Sequence, residues 1–220
     1  MLNHAPQITA RRLFGLAASG PVPGIRVARA WRERAEAAGG SMSDDASEVR
    51  IETQRLVLRR YRADDHECVL RLASDPEIFR YSHHGALGSE ESWSMLLRHV
   101  GHWAERGWGV FGVEEKETGA LVGQAGLSDF RRRLGPRFDG APEITWSFET
   151  SSQRRGYATE AARAALDWYD RAHGPTRTVC LIHEQNAASL RVAEKLGYQE
   201  FDRRHYKGYP AILLERPSAH

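Results

Sequence analysis

The spacing of apolar residues predicts alternating strands and helices from residue 49 onward. Residues 51–61 alternate apolar and polar side chains, the period of a half-buried strand. Residues 89–106 carry apolar side chains at helical spacing behind a serine and two glutamates, which is typical of a helix start. We therefore expect strands at residues 51–61, 108–115, 120–127, 142–149, 178–183, 199–206 and 211–215, and helices at residues 63–73, 89–106, 156–173 and 186–196.

The first 48 residues differ in composition from the rest of the chain. They are rich in arginine and poor in acidic residues, with a proline and glycine patch at residues 20–24. Such a leader is also found in organelle transit peptides. We favour a disordered or partly helical extension, with Met42 as an alternative start of translation. The expected organisation is an extension at residues 1–48 and one compact α/β domain at residues 49–217.

The composition is ordinary for a globular protein, with 41% hydrophobic and 27% charged residues among 220. The formal net charge is +2, which does not indicate nucleic-acid binding. No apolar run approaches the roughly 18–20 residues of a membrane-spanning helix, so we expect no membrane association. Cys68 and Cys180 show no paired spacing, which fits a reducing cytoplasm best.

A phosphate site is predicted where the strand at residues 142–149 leads into the next helix. The connecting segment reads Gln153-Arg-Arg-Gly156-Tyr-Ala158. The first turn of a helix carries backbone N–H groups without partners and the positive end of the helix dipole. Gly156 and the small Ala158 would let a phosphate come close to those groups. Residues 151–160 are therefore expected to bind a phosphate mainly through the backbone.

Other phosphate motifs do not fit this sequence. The GxxxxGK[ST] pattern of nucleoside-triphosphate loops is absent. A GxGxxG string occurs at Gly107, Gly109 and Gly112, but it lies within a predicted strand and opens no helix. We interpret it as accidental, which disfavours a nucleotide-using kinase or dehydrogenase.

The segment from Gln153 to Ala158 resembles the Q/R-x-x-G-x-G/A acetyl-CoA signature of the GNAT acetyltransferase superfamily. Asn186-Ala-Ala-Ser189, followed by Glu194-Lys-Leu-Gly-Tyr198, resembles the branch that contains the ribosomal-protein N-acetyltransferases. The resemblance covers roughly residues 49–216. It implies an α/β (α+β) GNAT-like fold, with a central mixed, mostly antiparallel sheet of six to seven strands. One parallel pair of strands would splay apart, and helices would flank both faces.

The resemblance also implies that acetyl-CoA, the acyl donor, lies between the strands at residues 143–148 and 178–183. The pantetheine arm would bind the backbone of the first strand, and the pyrophosphate would bind the following loop and helix start. Asn186 caps its helix most simply, and by resemblance it also reaches the cofactor arm. The implied cofactor-binding residues are Trp146, Ser147, Phe148, Gln153, Arg154, Arg155, Gly156, Tyr157, Ala158, Thr159 and Asn186.

Acetyl transfer to an amine needs a group that accepts the amine proton and a group that protonates the departing thiolate. By resemblance Glu143 is the expected base, although a solvated strand-end carboxylate is an equal interpretation. Many family members protonate the thiolate with a tyrosine, where this chain has Ala193. That difference leaves Ser189 or solvent as the expected acid. The weaker candidates for the base are His183, Glu184 and Asp129.

Several other polar residues have two interpretations. The pair His83-His84 either borders the acceptor pocket or is an exposed loop. His99 and His102 have a spacing that could hold zinc, but they lack a third ligand nearby, so we expect no metal site. The run Arg131-Arg132-Arg133, with Arg137, either attracts an acidic acceptor or is a solvated loop.

The expected function is transfer of an acetyl group from acetyl-CoA to a primary amine, without a metal. The acceptor would be a protein N-terminus or a small amine, and the protein a monomer or a homodimer. The alternative is an acyl-CoA-binding module without catalysis.

Overall fold

The computed structural model describes residues 49–82 and 85–218. The predictions for residues 1–48 and for His83-His84 lie outside these residues. The strands are β1 Arg50–Glu52, β2 Leu56–Arg59, β3 Val110–Glu115, β4 Leu121–Ser128, β5 Glu143–Phe148, β6 Thr178–His183, β7 Gln199–Tyr206 and β8 Tyr209–Arg216. The helices are α1 His66–Ala73, α2 Ser89–Arg106, α3 Tyr157–His173 and α4 Ala187–Lys195.

The strands form one mixed sheet in the order β1-β2-β3-β4-β5-β6-β8-β7. All neighbouring strands run antiparallel except β5 and β6, which are parallel. The predicted α/β architecture, a mostly antiparallel sheet with one parallel pair, is therefore confirmed. The sheet has eight strands, one more than the upper bound of the expectation.

The additional strand arises because residues 51–61 form two strands instead of one. The backbone N–H of Thr53 donates to the Leu56 carbonyl oxygen at 2.9 Å, and the Leu56 N–H donates to Thr53 Oγ1 at 2.9 Å. These bonds close a turn, after which β2 pairs antiparallel with β1. Residues 52–55 are all polar but include no glycine or proline, so the turn was not predicted.

Helices cover both faces of the sheet. Ala161 and Ala165 of α3 pack on Leu58 and Phe111 in one buried cluster. On the opposite face, α1 and α2 contribute to a cluster that contains Val69, Leu96 and the strand residue Val110. No helix in the described part of the chain is long and apolar enough to cross a membrane.

The GxGxxG string opens no helix, as expected, and one of its glycines has a packing role. Gly107 ends α2, and Gly112 lies in β3. Gly109 lies against the ring of Trp103, where a Cβ atom would stand 2.6 Å from the nearest ring atoms. The string therefore forms no phosphate loop.

Candidate active site

The parallel strands β5 and β6 separate almost as soon as they meet. On one side, β5 pairs with β4 along its whole length, from Ser128↔Glu143 to Gly123↔Phe148. On the other side, its ladder with β6 contains the single pair Glu143↔Val179. Beyond that pair the two strands open into a wedge, so the β6-facing edge of β5 has no strand partner there.

At the open end of the wedge, the chain turns into α3 through left-handed backbone. Arg154 has φ +63° and Gly156, the N-cap of α3, has φ +83°. No side chain caps the helix. Within the described residues, the backbone N–H groups of residues 154–159 donate to no acceptor. Consecutive free donors at the positive end of a helix dipole form a site for an anion.

These free donors border a cavity of about 530 Å³ between the starts of α3 and α4. Its volume is within the range of small-molecule sites. It brings together nearly all of the predicted cofactor residues and the predicted acid. Those that line it are Trp146, Ser147, Phe148, Gln153, Arg154, Gly156, Tyr157, Ala158, Thr159, Asn186 and Ser189.

The start of α4 is capped by its own sequence. The Asn186 side-chain oxygen accepts a hydrogen bond from the Ser189 backbone N–H at 3.1 Å. This is the expected N-cap contact. The Ser189 hydroxyl, by contrast, has no hydrogen-bond partner in the part of the chain that the structure describes. Asn186 thus organises the helix start, while the hydroxyl remains available to a ligand.

Arg155 does not line the cavity, although it lies within the predicted motif. Its guanidinium pairs with Glu115 and stacks 4.5 Å from the ring centre of Tyr157. Arg55 stacks on the same ring at 4.8 Å and donates from Nη1 to the Arg155 carbonyl oxygen at 2.8 Å. The Tyr157 hydroxyl donates to Glu115 at 2.5 Å. The Arg155 side chain therefore supports the loop from behind, and its N–H group is what it offers to a ligand.

Glu143 lies at the closed end of the wedge and does not line the cavity. Its side chain is buried, and both carboxylate oxygens accept from Arg132, at 2.6 Å from Nε and 2.7 Å from Nη2. Burial raises the pKa of the Glu143 carboxyl, and the Arg132 guanidinium opposes that increase. Arg132 also donates to the Tyr206 hydroxyl at 3.2 Å. The predicted base is thus held in place by a paired cation.

Comparison with known proteins decides the family. The sequence model of the acetyltransferase (GNAT) domain matches residues 55–199. The chain belongs to the GNAT acetyltransferase family.

Individual GNAT relatives agree with this assignment. The N-acetyltransferase YnaD of Bacillus subtilis is 28% identical over 149 residues, which cover 68% of this chain and 82% of YnaD. A solved GNAT-family acetyltransferase from Bordetella pertussis is 31% identical, with a TM-score of 0.69, over 76% of this chain and 99% of that one. The ribosomal L7/L12 acetyltransferase RimL, solved with coenzyme A, is 14% identical with a TM-score of 0.62, over 77% of this chain and 98% of RimL. That last likeness shows the fold alone.

The other candidates for the base are engaged elsewhere in this GNAT domain. His183 Nδ1 accepts from the Gln185 N–H at 3.1 Å, so the neutral ring carries its proton on Nε2. Its one lone pair is therefore already used. The Asp129 carboxylate pairs with Arg106 and Arg131. Glu184 is exposed to solvent. Glu143, by contrast, lies at the single pair that joins the splayed strands.

The two helix histidines contact other groups of the protein. His102 Nδ1 contacts the Trp108 carbonyl oxygen at 2.8 Å, and its Nε2 accepts from the Asp129 N–H at 3.0 Å. His99 is buried against the ring of Tyr61. Burial lowers the pKa of both histidines. No group of residues suited to a metal ion occurs within residues 49–82 and 85–218.

Sequence reasoning missed several residues that line the GNAT cavity. One wall comes from the segment before residues 83–84, including Glu77, Arg80 and Tyr81. Others lie on or just before α4, among them the cationic residues Arg191 and Lys195. Their spacing at i and i+4 behind the start of α4 was a usable signal, because such residues share one helix face. No comparable local pattern marks the first wall.

Proposed function

We propose that this chain transfers the acetyl group of acetyl-CoA to a primary amine by direct attack in a ternary complex. The observation that carries the proposal is the continuity of two unsatisfied backbone features. The unpaired edge of β5 is followed along the chain by the free N–H groups of residues 154–159, which include that of Gly156. Extended amides and a multiply charged phosphate group are the ligands that would satisfy both, and coenzyme A contains both.

In this proposal the pyrophosphate binds at the start of α3, and the pantetheine arm lies along β5 as a substitute strand. The backbone from Trp146 to Phe148 provides its hydrogen bonds. The cationic lining of the cavity also supports the proposal, because Arg154, Arg191 and Lys195 offset phosphate charge. The RimL structure, which shares the fold, holds coenzyme A.

The chemistry follows from the bonds that must change. The amine nitrogen attacks the thioester carbonyl carbon, and a C–N bond forms as the carbonyl oxygen becomes an oxyanion. Collapse of this intermediate breaks the C–S bond and releases the thiolate of coenzyme A. A backbone N–H near Trp146 would stabilise the oxyanion. Glu143 would accept the amine proton through water, and Ser189 or solvent would protonate the thiolate.

The ion pair between Glu143 and Arg132 is compatible with this role. A carboxylate held by a bidentate arginine still has lone pairs that no guanidinium proton occupies. Burial favours its protonated form, so proton uptake is less unfavourable than for an exposed carboxyl. The pairing with Arg132 fixes the orientation of the carboxylate.

Turnover of acetyl-CoA with a panel of amines tests the proposal. The panel contains N-terminal peptides, amino acids and polyamines, and the same compounds with their amines already acetylated serve as controls. We expect coenzyme A release with at least one free amine and none above background with the acetylated controls. Binding of acetyl-CoA by calorimetry without turnover on any amine would support the non-catalytic binding module instead. Absence of binding would contradict the site itself.

A further inference from the structure

The arginines beside the loop that follows β4 are mostly neutralised by the protein's own carboxylates. Arg106 and Arg131 share Asp129, at 3.0 and 2.8 Å, and Arg132 holds the carboxylate described above. Arg98 lies about two helical turns before Arg106 on α2 and differs from these paired arginines. It has no carboxylate partner within the described residues. A cation left unpaired among paired ones is available to an external anion.

The surroundings of Arg98 favour such an anion. Its guanidinium carbon lies 5.9 Å from the ring centre of Phe130, and that of Arg132 lies 4.6 Å from the same ring centre. Partial burial and the nearby charge of Arg132 lower the pKa of Arg98. Glu143 already neutralises Arg132, so Arg98 is the cation of this pair that still lacks a carboxylate partner within the described residues. Guanidinium groups bind carboxylates with good geometry.

This cluster lies beside the proposed base, Glu143. Along β5, Glu143 and Ser147 point to the face opposite α3, because alternate residues of a strand share a face. Arg132 reaches Glu143, so the Arg98 cluster adjoins the closed end of the wedge. At a rise of about 3.3 Å per residue, the backbone near Trp146 is about 10 Å along the strand from Glu143.

We infer that Arg98, together with Phe130 and Arg132, binds a carboxylate of the acceptor. The acceptor is then an amine that also carries a carboxylate. A peptide with acidic residues after its N-terminus and a free amino acid both offer this chemistry. The inference rests on the proposed function and adds a substrate class to it.

Two matched pairs of acceptors and one arginine variant test the inference. One pair consists of peptides with N-terminal alanine followed by either two glutamates or two glutamines. The other pair is L-lysine and L-lysinamide. Each is assayed by coenzyme A release with the full-length protein and with Arg98→Gln, which keeps a helix-forming side chain of similar reach. Arg171→Gln is the control, because Arg171 is also an exposed helical arginine without a carboxylate partner in the described chain.

We expect the wild-type protein to prefer the carboxylate-bearing member of at least one pair. The pair that responds distinguishes a peptide from a small amino acid. Arg98→Gln should lower kcat/KM for that member by about tenfold or more, mainly through KM, since a charged hydrogen bond is lost. The neutral member and the KM for acetyl-CoA should change little. Arg98→Lys should recover part of the loss, and Arg171→Gln should match the wild type.

Other outcomes overturn the inference. Equal use of both members of each pair by the wild type would show that no carboxylate is recognised. An equal loss on both members in Arg98→Gln would give Arg98 a structural role, which its melting temperature would also reveal. If acetyl-CoA binds but no amine in any series is acetylated, the proposed function fails, and the inference fails with it.

Discussion

The two ends of β5 have opposite properties although the strand is only six residues long. At Glu143 the strand pairs on both sides, and its carboxylate is buried against a cation. At Phe148 it pairs on one side and leads to a run of backbone donors without acceptors. Nearly all buried backbone groups in proteins find partners. A concentration of unpaired donors at one end therefore marks the place for a ligand, and the paired end anchors it.

The two helix starts at the open end repeat this contrast on a smaller scale. The first turn of α4 is satisfied by Asn186. The first turn of α3 has no side-chain cap and begins at Gly156 in the left-handed region. One helix start is complete without a ligand, and the other is completed by one.

The largest effect is expected at the closed end. Glu143→Gln keeps size but removes the base, so kcat/KM should fall by about 100-fold or more. Because burial raises the pKa of Glu143, the wild-type rate should rise with pH over an acidic limb above the ordinary carboxyl range. That limb should be absent in the variant, while affinity for acetyl-CoA stays unchanged. Steady-state kinetics between acid and neutral pH measure both.

Glu149→Gln is the matched control for this variant. Glu149 directly follows the open end of β5 and pairs with Arg71 at 2.6 Å. The same chemical change there should leave rate and pH profile close to those of the wild type. If Glu143→Gln behaves like this control, the amine proton leaves by another route.

At the open end, the expected effect is on binding. Gly156→Glu should lower affinity for acetyl-CoA at least tenfold, or about 1.4 kcal/mol, because the side chain obstructs and repels the pyrophosphate. Calorimetry measures this. Gly156→Ala is the control, since it shares the strained φ of +83° but adds a methyl group whose nearest neighbour is Arg55 Nη2 at 3.5 Å. Equal affinities in the wild type and the glutamate variant would contradict the phosphate site.

At the start of α4, which Asn186 caps, the expected effect is on protein stability. Asn186→Ala removes the cap of α4 and should lower the free energy of unfolding by about 1 kcal/mol. Denaturant titration measures the change. Ser189→Ala removes a hydroxyl without a partner within the described residues and should leave that free energy nearly unaltered. Equal losses in the two variants would mean that Asn186 is not the cap that matters.

The smallest effect is expected from the N-terminal segment. Removal of residues 1–41 should leave melting temperature and turnover nearly unchanged, because the family match begins at residue 55. Thermal unfolding of the shortened chain checks this. A fall of more than a few degrees would show that the segment contributes to the fold.

Local sequence signals predicted most of the fold, and they predicted the site at the open end of β5 better than the contacts at its closed end. The start of α3 was readable because Gly156 and Ala158 act through the backbone of their own segment. The turn at Thr53 was not predicted, because a side chain accepts one of its hydrogen bonds and the segment contains no glycine or proline. The ion pair between Arg132 and Glu143 depends on how a loop folds back on a strand. No pattern within a single element encodes such a contact.

Contacts between distant parts of the chain also explain why Arg155 does not line the cavity. Its motif position suggested a ligand contact, but Glu115 and Tyr157 draw the side chain away from the cavity. Glu115 is distant in sequence and is brought near by the sheet. Composition and spacing thus identify which residues can do a task, while pairing across the fold decides which of them are free to do it.

The wedge between β5 and β6 places a sheet edge in the middle of a sheet. Edge strands readily recruit extended segments of other chains, and proteins usually shield them with charges, proline or a covering element. The β6-facing edge of β5 has no strand partner beyond Glu143, so it offers such a template whenever the pantetheine arm is away. Occupancy by acetyl-CoA would then protect the protein from aggregation as well as form a substrate complex, because it covers a stretch of backbone inside the sheet on which a foreign strand could nucleate.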